Sequence, residues 1–141
     1  MGGEIKMKIG DIVDIIVAFL AAYLFYQFLI LISGTSVPVV SVASGSMVPR
    51  LYPGDIVIAT KPENLKVGDI IIYHANCSAL PKTNIIHRII GFENEKIITK
   101  GDNNLVKDPC PVEKNQVKGK VVFAAPLLGW PKLILHKLTG L

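Results

Sequence analysis

The sequence predicts a mainly β protein: a small coiled antiparallel β-barrel, preceded by one N-terminal transmembrane helix and followed by a short C-terminal helix. Three observations predict it. A 21-residue apolar run extends from Ile12 to Ile32. Six short Val- and Ile-rich runs follow, separated by Gly, Pro and Asn. The chain then closes on PLLGWPKLILHKLTGL, where apolar residues alternate with Lys132, His136 and Lys137. A chain of 141 residues holds one domain and an appendage, and half of its residues are hydrophobic.

At about 1.5 Å per residue the apolar run spans roughly the 30 Å hydrocarbon core of a bilayer. It is apolar on every face, broken only by Asp14 and Gln27, so it is not an amphipathic surface helix. It exceeds the apolar stretch of about 7–15 residues of a cleaved secretory signal. The remaining chain is too short to surround a buried core helix on all sides. Asp11 is the expected N-cap, and Ser33-Gly34-Thr35 the stop. Lys6 and Lys8 precede the run, and no Lys or Arg follows it until Arg50. That asymmetry puts residues 1–11 in the cytoplasm, the span at 12–32 and the rest outside the cytoplasm, at the cell membrane.

The β runs are Val37–Ala43, Asp55–Thr60, Asp69–His74, Asn84–Phe92, Lys96–Lys100 and Val117–Ala124. Pro53-Gly54, Val67-Gly68-Asp69 and Gly101-Asp102-Asn103-Asn104 are among the turn signals between them. Even spacing without helical periodicity favours a small antiparallel barrel or curled sheet over 36–125. In 126–141, Pro131 suits the first turn of a short helix. Its mixed faces suit a helix lying in the lipid interface, and packing on the barrel is the alternative.

The charge balance is +4, from 15 Lys+Arg against 11 Asp+Glu. The basic residues are scattered and lack interleaved aromatics, which argues against a nucleic-acid partner. A solvated surface facing anionic headgroups fits better. Cys77 and Cys110 lack metal-ligand spacing and could form one disulfide outside the cytosol. Asn76-Cys77-Ser78 matches the N-glycosylation pattern, a three-residue match that arises often by chance. No cofactor and no metal is expected.

The chemistry-bearing stretch is Ser44-Gly45-Ser46-Met47-Val48-Pro49-Arg50-Leu51-Tyr52-Pro53-Gly54-Asp55. Gly45 tolerates unusual backbone angles, and two prolines stop any helix or central strand, so a serine here is easily exposed. Ser46, His87, and then Asp102 or Asp108 follow in chain order. A serine hydroxyl needs a base to become a nucleophile. A neutral histidine is such a base, and a carboxylate fixes its tautomer. Each residue alone has an ordinary reading: a polar turn, a half-buried histidine, or Asx-turn capping.

Together these motifs resemble type I signal peptidase: Ser-Gly-Ser-Met-x-Pro with Gly-Asp, then His-Arg-Ile, then Gly-Asp-Asn-Asn with an aspartate six residues on. The resemblance covers about residues 12–125. It implies a membrane-anchored serine protease that removes signal peptides from exported preproteins, on a barrel of the signal-peptidase type. His87 stands where bacterial members carry a lysine, so the chain resembles the archaeal and endoplasmic-reticulum branch. The resemblance implies Ser46 as nucleophile, His87 as general base and Ser44 with the Ser46 N–H as oxyanion hole. Asp108 is the expected partner of His87, and Asp102 support for the site. The substrate would lie extended against Val40, Ser41, Val42 and Ala43 on one side and Ile85 and Ile86 on the other, with small residues at positions −1 and −3. Met47, which also belongs to the expected substrate site, is read with Val48 and Leu51 as dipping into the lipid surface. The expected partners are signal-peptide-bearing preproteins, the lipid bilayer and accessory subunits. The alternative is an anchored, non-catalytic peptide-binding β-barrel. A self-cleaving repressor-type regulator is less apt, because no lysine replaces His87 and no DNA-binding head is present.

Overall fold

The computed structural model describes residues 3–126 and residue 138. The C-terminal helix expected within 126–141 falls on residues outside that description.

The apolar run forms helix α1, Ile9–Ser33. None of its residues is buried against the rest of the chain, so its apolar side chains need another environment. By length and composition it can cross a membrane. It starts three residues before the expected span. Lys8 is the N-cap, and Asp11 stands at the third helical position. There its carboxylate accepts the Lys8 N–H at 3.0 Å, so it satisfies one of the free donors of the first turn from inside the helix. The other end is as expected: Gly34 takes φ 70°, and its N–H donates to Ile30 O at 3.1 Å.

Six strands follow: β1 (Val39–Ser41), β2 (Ile56–Thr60), β3 (Ile70–His74), β4 (Asn84–Glu93), β5 (Lys96–Lys100) and β6 (Val117–Ala125). A single 3₁₀ turn, Lys114–Gln116, precedes β6. The strands form one antiparallel sheet in the order β1-β2-β6-β3-β4-β5. All six correspond to the runs read from the sequence. Two of the junctions are the same turn. In Tyr52–Asp55 and Lys66–Asp69 the glycine takes positive φ, 94° at Gly54 and 98° at Gly68, as the third position of a type II turn requires. In each, the closing aspartate carboxylate accepts the N–H of the first residue, at 2.9 Å from Tyr52 and 2.8 Å from Lys66.

β3 explains why the sheet curls. Ile70 to Tyr73 are all buried, so this strand has core on both faces. Ile70 and Ile72 join Val42, Met47, Leu51, Val57 and Ala59 in one cluster; Ile71 and Tyr73 join Ala75, Ile89, Ile97, Val112 and Val117 in the other. Val40 from β1 and Ile86 from β4 both pack on the first cluster, so the two flanks of the sheet bend toward each other. Met47 and Leu51, each 1% exposed, fill the space between them. This corrects the expectation that they dip into lipid. One helical turn, with Leu51 N–H donating to Met47 O at 2.9 Å, points both side chains inward.

The span is tied to the sheet directly. Lys61 N–H donates to Ser33 O at 2.9 Å, and the Thr35 hydroxyl donates to the Lys118 carbonyl. Gly119 permits that approach: a Cβ there would stand 3.0 Å from Ala59 Cβ and 3.3 Å from Thr35 Oγ1.

Candidate active site

β4 sets His87 and Arg88 on opposite faces through its alternation. His87 shares the face of Ile85 and Ile89, toward the second core, while Arg88 projects to the other face. His87 pairs in register with Ile71 of β3, and its side chain is buried. The Ser46 loop, between β1 and β2, meets it. His87 Nε2 lies 3.1 Å from Ser46 Oγ, and His87 Nδ1 lies 2.6 Å from Asp108 Oδ2.

Asp108 reaches this place because the chain beyond β5 doubles back along it. Asp108 N–H donates to Thr99 O at 2.8 Å, and Ile97 and Val112 exchange both backbone bonds at 2.8 and 2.7 Å. Asp108 Oδ2 also accepts the hydroxyls of Thr99 at 2.6 Å and Tyr73 at 2.9 Å. Burial would raise the carboxyl's proton affinity. The hydrogen bond from His87, then that from Thr99, the imidazole's charge and the Tyr73 hydroxyl outweigh it and hold Asp108 below the usual carboxylate range. Burial pushes the Tyr73 phenol far above its ordinary value, so it stays a donor. An ionised carboxylate only accepts, so Nδ1 carries the imidazole hydrogen and Nε2 is left to accept from Ser46. The Ser44 hydroxyl, 3.2 Å from Ser46 Oγ, then donates to it.

Asp102 does not reach His87. It forms a two-pronged ion pair with Arg88, at 2.8 Å from Nε and 2.7 Å from Nη2. The Arg88 hydrogen bonds hold the Asp102 carboxyl below its ordinary range; burial opposes them, and the charges of Arg88, Lys100 and Arg50 assist. Arg88 Nη1 also donates to Gly68 O at 2.7 Å. The Gly101–Asn104 turn that this pair anchors grips the serine loop. Asn103 N–H donates to Ser46 O at 2.8 Å, and Asn103 Nδ2 to Gly45 O at 3.1 Å. A Cβ on Gly101 would lie 2.7 Å from Ser46 O, so only glycine allows this approach. Among the described residues, the Ser46 backbone N–H makes no hydrogen bond.

A cleft of about 390 Å³ opens beside Ser46. Val40, Ser41, Val42, Ala43, Ser44 and Met47 line it on one side; Pro81, Thr83, Asn84, Ile85, Ile86 and His87 on the other, with Asn104. All the expected substrate-contacting residues are therefore here, Met47 from the buried floor. β1 is the terminal strand, and β5 pairs with β4 only from Arg88 onward, so both walls of the cleft present strand edges without a neighbour. Cys77 and Cys110 are joined as a disulfide, two residues past Asp108. Tyr73, Thr99, Gly101 and Asn103 are site residues the sequence reading missed. Among the described residues no group of His, Cys, Asp and Glu has the arrangement of a metal site.

The family model described as signal peptidase, peptidase S26, matches residues 12–124. The signal peptidase complex catalytic subunit SEC11 of Candida tropicalis is 31% identical over 147 residues, covering 95% of this chain and 87% of that protein. The subunit of the same name from Eremothecium gossypii is also 31% identical, with the same coverage. That from Plasmodium falciparum is 33% identical over 105 residues, 71% of this chain and 55% of its own length. The matched region holds the apolar helix, the curled sheet and every residue of the serine–histidine–aspartate array, and the chain belongs to the signal peptidase family, peptidase S26.

Proposed function

We propose that this signal peptidase cleaves preproteins at the bilayer surface with Ser46 as nucleophile, His87 as general base and Asp108 as the carboxylate that orients it. The observation that carries this reading is the pair of contacts on the two imidazole nitrogens, 3.1 Å from Ser46 Oγ to Nε2 and 2.6 Å from Nδ1 to Asp108, beside a cleft with two free strand edges.

The preprotein lies extended between β1 and the start of β4, bonded through its main chain. Ser46 attacks the scissile carbonyl as its proton passes to Nε2, and the buried Asp108 stabilises the imidazolium. The charge developing on the carbonyl oxygen is met by the Ser46 N–H and the Ser44 hydroxyl. The imidazolium then protonates the leaving amine, and water releases the acyl group by the same route in reverse. Val40, Val42 and Ile86 narrow the cleft, which supports selection of small residues at positions −1 and −3. Asp102 acts at one remove, holding with Arg88 the turn that grips Ser46.

α1 anchors the catalytic sheet at the membrane, with Lys6 and Lys8 on the cytoplasmic side and residues 36–125 outside. The disulfide fits an oxidising compartment. The bonds from Lys61 to Ser33 and from Thr35 to Lys118 hold the sheet against the end of the span. The relatives' name, catalytic subunit of a signal peptidase complex, supports accessory subunits for this chain as well.

The test uses the full chain in lipid vesicles with a preprotein substrate. Ser46→Ala and His87→Ala are expected to abolish cleavage, Ser46→Ala with a thermal unfolding midpoint near that of the parent. Cleavage by Ser46→Ala at the parental rate would overturn the reading. A histidine base also predicts a rate that declines as acid protonates it.

A further inference from the structure

Three donors converge on one oxygen of Asp108. His87 Nδ1 at 2.6 Å, Thr99 Oγ1 at 2.6 Å and Tyr73 Oη at 2.9 Å all address Oδ2. They come from the three adjacent strands β4, β5 and β3. Thr99 also lies 3.5 Å from the Tyr73 hydroxyl. Tyr73 and Thr99 are each 1% exposed, so neither hydroxyl trades its partner for bulk water. A valine at 99 and a phenylalanine at 73 would fill these places without a polar atom. The mechanism written above needs neither hydroxyl to touch the substrate.

We propose that Tyr73 and Thr99 are positioning residues for the proton transfer, fixing the oxygen of Asp108 that faces His87 and tempering its basicity. The inference rests on the triad reading and deepens it. A bare carboxylate in this apolar pocket would hold the imidazolium too strongly and could rotate its second oxygen toward Nδ1. Two hydroxyl donors draw off part of its charge and leave one orientation satisfied. Thr99 acts twice, since its carbonyl accepts the Asp108 N–H while its hydroxyl caps the carboxylate. The cluster is electrostatically simple. The titratable groups within the cluster are His87, Asp108 and the Tyr73 phenol; farther along the same face, beyond Ile71, Lys120 is paired with Asp69 at 3.2 Å. Arg88 and Lys100 project to the opposite face, where Asp102 meets Arg88.

Removing a donor leaves more negative charge on Oδ2, which favours protonated His87. The base is then lost at higher pH than in the parent, and the acid limb of the rate profile moves upward. A purely structural role would lower stability without moving that limb.

The experiment compares full-length Tyr73→Phe, Thr99→Val and Thr99→Ser with the parent in vesicles, measuring kcat, KM and the pH profile of preprotein cleavage. Tyr73→Phe and Thr99→Val are each expected to lower kcat about ten-fold with KM unchanged, and to shift the acid limb to higher pH. Thr99→Ser, which keeps the hydroxyl, is expected to restore kcat and limb position to near the parent. If Tyr73→Phe does not fold, the Thr99→Val and Thr99→Ser pair decides. A parental kcat and limb in Thr99→Val overturns the proposal, as does an equal loss in Thr99→Ser. Ser46→Ala run beside them separates the two readings. Full cleavage by that variant sinks the triad itself, whereas its inactivity beside an unaltered Thr99→Val sinks only the positioning role.

Discussion

His87 and Arg88 are neighbours on β4, and each meets an aspartate from the same short stretch, Asp108 and Asp102. The two pairs have opposite characters. The His87 and Asp108 side chains are 8% and 5% exposed; those of Arg88 and Asp102 are 30% and 20% exposed. Arg88 is always charged and grips its carboxylate with two parallel bonds, the geometry of a fixed clamp. His87 makes one bond to its aspartate and keeps its other nitrogen for Ser46, the geometry of a group that gains and loses a proton. Strand alternation alone separates them. On the proposed reading one face of β4 does the proton transfer, and the other braces the loop that presents the serine.

That contrast can be broken from either side. The largest effect is expected from His87→Ala, which should reduce kcat about 10⁴-fold or more in the vesicle assay, far more than its fall in unfolding midpoint would account for. Arg88→Ala should cost on the order of 1–2 kcal/mol of stability, read by thermal unfolding, with a far smaller loss of rate. Gly101→Ala joins the two faces. Its new methyl group would press on the Ser46 carbonyl and shift the nucleophile without touching His87 or Asp108, so kcat should fall about 10²-fold. An unaltered kcat would mean that the turn does not set the serine's position.

The smallest effect concerns acid. Asp102 and Asp108 both have folded-state proton affinities below those of an unfolded chain. Each therefore contributes stability above about pH 4, the unfolded carboxylate value, and withdraws it as pH falls through the lower folded value. Unfolding midpoints measured from pH 6 down to pH 2 should decline below about pH 4. In Asp102→Asn that decline should be shallower, because one of the two contributors is gone.

The strands were legible because their punctuation has a mechanism. Gly54 and Gly68 supply positive φ, and the aspartate after each closes its turn. The helix was legible from its length, but its start was not. Asp11 serves the first turn from its third position as well as it would from the cap. The serine loop misled at Met47 and Leu51. Its prolines and glycines read as surface, yet a curled sheet leaves a gap between its flanks, and these two side chains fill it. Ser46, His87 and the aspartates were visible as residue types in order. The resemblance favoured Asp108 as the partner of the histidine, but the residues alone did not rank the two, because both sit in turns and only the return of the chain along β5 brings Asp108 to the right face. Tyr73 and Thr99 carried no local signal. They lie 35 and 9 residues from Asp108, and only strand register joins them.

The most direct measurement is single-turnover cleavage of a preprotein by Asp108→Asn and Asp102→Asn, side by side in the full chain. If Asp108 orients the base and Asp102 only braces the loop, Asp108→Asn should lose about 10⁴-fold in rate and Asp102→Asn at least a hundred times less. Equal losses, or a greater loss in Asp102→Asn, would contradict the division of labour between the two faces of β4.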